Sequence, residues 1–126
     1  MSGIRKYRQS TVVTADRMEL VVMLYVGFLS FAHGAIDAIE AHSRARAGEA
    51  TSQALAIIHE LVVALDQDAD TELVGSLTSL YDFVEFSLHE GNRNQDAAHY
   101  RNAIKIMAEL RDAWGEASRM LRTKAA

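Results

Sequence analysis

The sequence predicts an all-α protein: an antiparallel up-down four-helix bundle with a short N-terminal arm. Three observations carry that expectation. Proline is absent and only 7 of the 126 residues are glycine, so few positions break a helix. Apolar residues recur at steps of three or four along four separate segments. The links between those segments are short, which favours antiparallel neighbours. A chain of this length suits one domain and buries about two-thirds of its unfolded surface.

Residues 1–14 read as the arm and residues 15–123 as the bundle. In the arm, Ile4, Tyr7, Val12 and Val13 are apolar anchors among polar neighbours. The first helix is expected over residues 16–46. Asp16 and Glu19 have the spacing of a capping box, in which each carboxylate accepts a free backbone amide of the other residue. From residue 20 to 36 the segment has no formal charge when His33 is neutral, and only Ser30 and His33 interrupt it as polar side chains. A helix packed on one side shows an apolar stripe and a charged back. This one is apolar almost all round. Other helices surround it, a membrane does, or part of its surface awaits a partner. The run is at the low edge of a membrane span. Its flanks carry no aromatic belt or basic cluster. No membrane span is therefore expected. The polar start of the chain does not resemble a signal peptide, and the expected location is cytoplasmic.

Gly48 is expected to mark the first turn. Helix two, over residues 49–66, carries Ala54, Ile58, Leu61 and Leu65 on one stripe. An acidic link leads to helix three, over residues 71–91, whose stripe is Leu73, Leu77, Leu80, Tyr81, Val84 and Leu88. Phe83 and Phe86 extend apolar surface onto a second side. Gly91 and Asn92 are expected to end this helix, since both tolerate the left-handed cap conformation. Helix four, over residues 95–122, repeats Tyr100, Ala103, Met107, Leu110, Trp114, Ala117 and Leu121.

Chemistry finds little support. Cysteine is absent, which excludes disulfides and thiolate catalysis. The net charge is −4, and the basic groups at Arg5, Lys6 and Arg8 and at Arg119, Arg122 and Lys124 are short, so no nucleic-acid partner is expected. Asp66, Asp68 and Asp70 resemble the start of a calcium loop, but Thr71 and Leu77 stand where that loop needs Gly and Glu. Only Asp96 and His99 approach the carboxylate–histidine spacing of a di-iron bundle. The five histidines show no zinc-ligand spacing. Glu85 and His89, one turn apart, read as a surface pair. No nucleophile elbow or phosphate-cradling loop is present. The expectation is no enzyme, no metal and no cofactor.

Four islands along the chain resemble the FliS family of flagellar export chaperones. The first is Thr14-Ala15-Asp16-Arg17, then Glu19-Leu20, leading to Met23-Leu24-Tyr25-Val26-Gly27. The second is Ile57-Ile58, Glu60-Leu61 and Leu65-Asp66. The third is Leu80-Tyr81-Asp82-Phe83, followed by Leu88, Asn92 and Asp96. The fourth is Leu110-Arg111-Asp112-Ala113-Trp114. Each is short, but their order and spacing make the combination specific. Tyr7 matches a tyrosine that the family carries before its first helix. The chain departs from the family pattern in three places. Asp16 and Arg17 replace a Ser-Pro pair, Val26 replaces an Asp or Asn, and Phe86 and Ser87 stand where many members have arginines. The changes at Val26, Phe86 and Ser87 make the chain more apolar and bear on which flagellin it prefers.

The resemblance implies a cytoplasmic, non-enzymatic bundle that binds the disordered C-terminal segment of flagellin. It implies that this segment folds into helices around the chaperone, and that flagellin stays monomeric and is delivered to the flagellar type III export apparatus. It also implies an N-terminal arm that lies over part of the binding surface when flagellin is absent. The candidate contact residues are Tyr7 in the arm, Leu24, Tyr25 and Phe28 in helix one, and Tyr81, Phe83 and Phe86 in helix three. Ordinary core packing is the competing reading for Leu24 and Tyr81. Two other functions stand against the chaperone: a helical adaptor whose apolar surplus forms a homodimer or larger homo-oligomer, and a metal- or cofactor-binding bundle.

Overall fold

The computed structural model describes residues 11–65 and 71–125, with side chains over 16–65 and 71–124. Four helices follow in order: α1 (Thr11–Glu40), α2 (Arg44–Leu65), α3 (Thr71–Asn94) and α4 (Ala97–Ala125). α1 packs on α2 and α4, and α3 packs on the same two helices. α1 and α3 therefore occupy opposite corners of a four-helix bundle, as do α2 and α4. The expected all-α bundle is the observed architecture.

The helix boundaries differ from expectation, and the turns explain why. α1 ends at Glu40 rather than at residue 46. His42 takes a positive φ of 57°. Its amide donates to the Ile39 carbonyl at 3.0 Å, and the Ser43 amide donates to the Ala38 carbonyl at 2.8 Å. These bonds satisfy two of the last free carbonyls of α1. Ser43 then caps α2, its Oγ accepting the Arg46 amide at 3.3 Å. Gly48 is thus inside α2 and forms no turn.

The same device recurs between α3 and α4. Gln95 has φ of 50°. The Gln95 amide donates to the Asn92 carbonyl at 3.4 Å and the Asp96 amide to the Gly91 carbonyl at 2.9 Å. Asp96 then caps α4, its Oδ1 accepting the Ala98 amide at 2.9 Å. α3 therefore runs on to Asn94, beyond the Gly91-Asn92 pair. Both left-handed positions are filled by residues other than glycine, and a search for glycine misses them. The two turns share one end of the bundle, where an added Cβ on Gly48 would sit 4.0 Å from Asn92 Oδ1.

At the other end, the expected cap at Asp16 is overturned. α1 begins at Thr11, so residues 11–14 of the expected arm are helical and Asp16 lies inside the helix. The Asp16 carboxylate has a tertiary partner instead: it accepts from Arg122 of α4 at 2.9 Å, and Glu19 accepts from the same guanidinium. The Asp66–Asp70 link falls outside the described residues.

The core runs the length of the bundle. Phe28, Ile58, Leu61, Leu88 and Met107 are among its largest fully buried side chains. Each contributes about 1.5–3 kcal/mol of transfer free energy on burial. Two hydroxyl pairs cross the core on its two diagonals. Tyr25 of α1 meets Tyr81 of α3 at 2.5 Å. Tyr100 of α4 meets Thr51 of α2 at 2.6 Å. Thr51 Oγ1 donates to the Ala47 carbonyl at 2.7 Å, so Tyr100 supplies the hydrogen of the second pair.

Candidate protein-binding surface

α1 from Asp16 to Glu40 is long and apolar enough to cross a membrane, by length and composition alone. In the bundle its inner stripe is core: Tyr25, Phe28, Leu29, Ala32, Ala35 and Ile36 are all buried. The outer side of its N-terminal half is different. Leu20 is 62% exposed, Met23 64% and Val26 50%. Spacings of three place them in one strip along the helix. Beyond Val26 the strip turns polar with Ser30, His33 and Asp37, all exposed.

α3 carries a second apolar patch. Phe83 is 48% exposed and Phe86 59%. They lie one turn apart and point away from the stripe of Leu77, Tyr81, Val84 and Leu88 that α3 buries. Because α1 and α3 stand at opposite corners, the two patches face different sides of the bundle. Val63 on α2 and Met120 on α4 are further exposed apolar side chains.

The candidate contacts named from the sequence therefore separate. Phe83 and Phe86 are on the surface. Leu24 is half-buried and packs against the core. Tyr25, Phe28 and Tyr81 are core residues with almost no exposed surface, so in this conformation they support the surface from beneath. Tyr7 lies outside the described residues. Sequence reasoning misses Leu20, Met23 and Val26 as surface anchors, although they belong to the stretch that is apolar all round. The signal it lacks is which side of α1 the neighbouring helices cover.

The buried tyrosines form a knot between helices. Burial pushes the Tyr25 phenol far above its ordinary value, and the neighbouring Tyr81 adds to this. The polar edge of Trp114 on α4 pulls the other way. Either hydroxyl of the Tyr25–Tyr81 pair can be the donor. Burial also raises Tyr81. Tyr25, Tyr81 and Trp114 belong to three sequence islands far apart in the chain, and the fold brings them to one point.

Elsewhere on the described surface the polar side chains are largely paired with one another. A cleft of about 540 Å³ lies between α1 and α4, lined by Val22, Gly115, Ser118 and several charged groups. Its guanidiniums are engaged: Arg111 with Asp112, Arg119 with Glu116, and Arg122 with Asp16 and Glu19. His89 and Glu85 form an exposed pair at 3.8 Å, and a half-buried His99 lies 3.9 Å from Asp96. Among the described residues no three His, Asp or Glu side chains are grouped to hold a metal. Apolar contact is the main chemistry this surface presents.

Comparison with known proteins gives a consistent result. The family model described as flagellar protein FliS matches residues 1–121. The flagellar secretion chaperone FliS of Bacillus subtilis is 34% identical over 111 residues, covering 88% of this chain and 82% of the relative. That of Escherichia coli is 30% identical over 119 residues, covering 90% and 88%. That of Salmonella typhimurium is 31% identical over 122 residues, covering 93% and 90%. A match of this extent, on a helical bundle tied together by its motif residues, shows that the chain belongs to the FliS family of flagellar secretion chaperones, which are not enzymes.

Proposed function

We propose that this chaperone acts in the cytoplasm on flagellin. It binds the disordered C-terminal segment of flagellin, holds the subunit back from premature polymerisation and assists its delivery to the type III export apparatus. The observation that carries this reading is the apolar surplus on the surface: Leu20, Met23 and Val26 on α1, with Phe83 and Phe86 on α3. Amphipathic segments dock through anchors at helical spacing. Each well-buried anchor supplies about 1.5–3 kcal/mol, and ordering a disordered client costs about 2–5 kcal/mol or more. A few anchors spread over two faces outweigh that cost and still allow release. Tyr7 remains a proposed contact, carried over from the family by its position in the arm.

Titration calorimetry with cognate flagellin tests the reading. Full-length flagellin is expected to bind, and flagellin lacking its C-terminal segment is not. Leu20→Ser and Phe86→Ser are each expected to weaken binding at least tenfold without loss of helicity. Equal binding by both flagellin forms, or by neither, would sink the proposal.

A further inference from the structure

Sulfur chemistry in this chain belongs to methionine alone. Cysteine is absent, so no thiol competes for an oxidant, and the 5 methionines carry all of the sulfur. Met1 lies outside the described residues, and the fold separates the other four by exposure. Met107 is sealed in the core and Met18 is partly covered, whereas Met23 and Met120 are both more than half exposed. Peroxides convert a methionine they can reach to its sulfoxide. Met120 stands near the C-terminal end of α4, outside the α1 strip. Met23 is the middle residue of that strip, between Leu20 and Val26.

We propose that Met23 is a reversible oxidation site that sets how tightly the α1 strip holds a client; the inference rests on the flagellin reading above. A hydroperoxide transfers one oxygen to the thioether. The O–O bond breaks, an S–O bond forms, sulfur gives up two electrons and the second peroxide oxygen leaves as water. The product is polar where the thioether was apolar. On the free chaperone the new oxygen stays hydrated, so the bundle itself is not disturbed. Beneath a docked amphipathic segment that oxygen loses its water among apolar side chains, and an unpaired polar group is disfavoured there. Oxidation therefore acts on the bound state and leaves the fold alone. Methionine sulfoxide reductase reverses it, with a dithiol becoming a disulfide as the oxygen departs in water. Leucine at this position would give similar apolar contact without an oxidisable sulfur.

The test treats the chaperone alone with hydrogen peroxide and removes the oxidant with catalase. Peptide mass mapping and titration calorimetry with full-length flagellin follow. Met23 and Met120 are each expected to gain one oxygen before Met107 does, with unchanged circular dichroism. Affinity is expected to fall roughly tenfold in the wild type and in Met120→Leu, and to hold in Met23→Leu. Methionine sulfoxide reductase with a dithiol is expected to restore it. When flagellin is present during the treatment, oxidation of Met23 is expected to slow and that of Met120 to continue. Oxidised wild type that binds like the untreated protein would overturn the site and leave the flagellin reading standing. So would a Met23→Leu variant that loses affinity as the wild type does. Untreated protein that binds no flagellin would overturn the flagellin reading and this site with it.

Discussion

The hydroxyls of Tyr25 and Tyr81 tie two helices of this chaperone across its core. α1 and α3 do not pack directly against each other, and the Tyr25–Tyr81 hydroxyl pair links them at 2.5 Å. Removing one hydroxyl leaves the other buried without that partner, and a buried unsatisfied group costs about 1–3 kcal/mol. Tyr25→Phe and Tyr81→Phe are each expected to lose stability of that order in urea unfolding. The double variant removes both partners and is expected to lose less than the sum of the two. Full additivity would show that the pair contributes no coupling.

The sequence marks both tyrosines and leaves open whether they belong to the core or to a contact. Residue type does not decide it. An aromatic side chain with a hydroxyl suits a core that supplies a hydrogen-bond partner as well as it suits an interface. Phe83 and Phe86 have the opposite fate, because the 3.6-residue period carries them off the stripe that α3 buries.

At the scale of the element, the glycines separate packing from propensity. An added Cβ on Gly91 would lie 2.6 Å from Tyr100 Cε2 and 2.8 Å from Cδ2. Tyr100 is itself fixed by its bond to Thr51. Gly91→Ala is therefore expected to destabilise by about 1–3 kcal/mol through overpacking. Gly115, inside α4, is open: no neighbouring atom lies within 4 Å of where its Cβ would stand. Gly115→Ala is expected to stabilise by about 0.5–1 kcal/mol through helix propensity. Thermal unfolding checks both, and matching signs would contradict the packing described.

The helix ends repeat this lesson. Gly48 and Gly91-Asn92 have the residue types of stop signals, but it is His42 and Gln95 that adopt the left-handed conformation. Ser43 and Asp96 each close one helix with a backbone amide and open the next with a side-chain oxygen. Asp16 has the residue type and spacing of a cap, yet it serves Arg122, which is distant in sequence and adjacent in the bundle.

For the whole molecule, the tyrosines set an alkaline limit. Burial raises Tyr25, Tyr81 and Tyr100 above the ordinary value of 10.0. The folded chain keeps these protons after the unfolded chain has released its own. Their contribution is complete below about pH 10 and is lost as pH rises beyond it. The melting temperature is expected to fall from there upward, with tyrosinate absorbance appearing together with loss of helicity. Complete tyrosinate formation while the chain stays fully helical would contradict this burial.

Periodicity, the absence of proline and the ordered islands by themselves determined an all-α bundle and pointed to the FliS family. Those signals are local, or depend only on order along the chain. The tertiary structure decided which side of α1 is covered, because α1 is apolar on nearly every side and only the positions of α2 and α4 distinguish core from surface. It placed Tyr25, Phe28 and Tyr81 inside, left Leu20, Met23 and Val26 outside, and set the two apolar patches on different sides. Burial is a property of neighbours, and for a helix without a polar back the neighbours cannot be read from its own sequence.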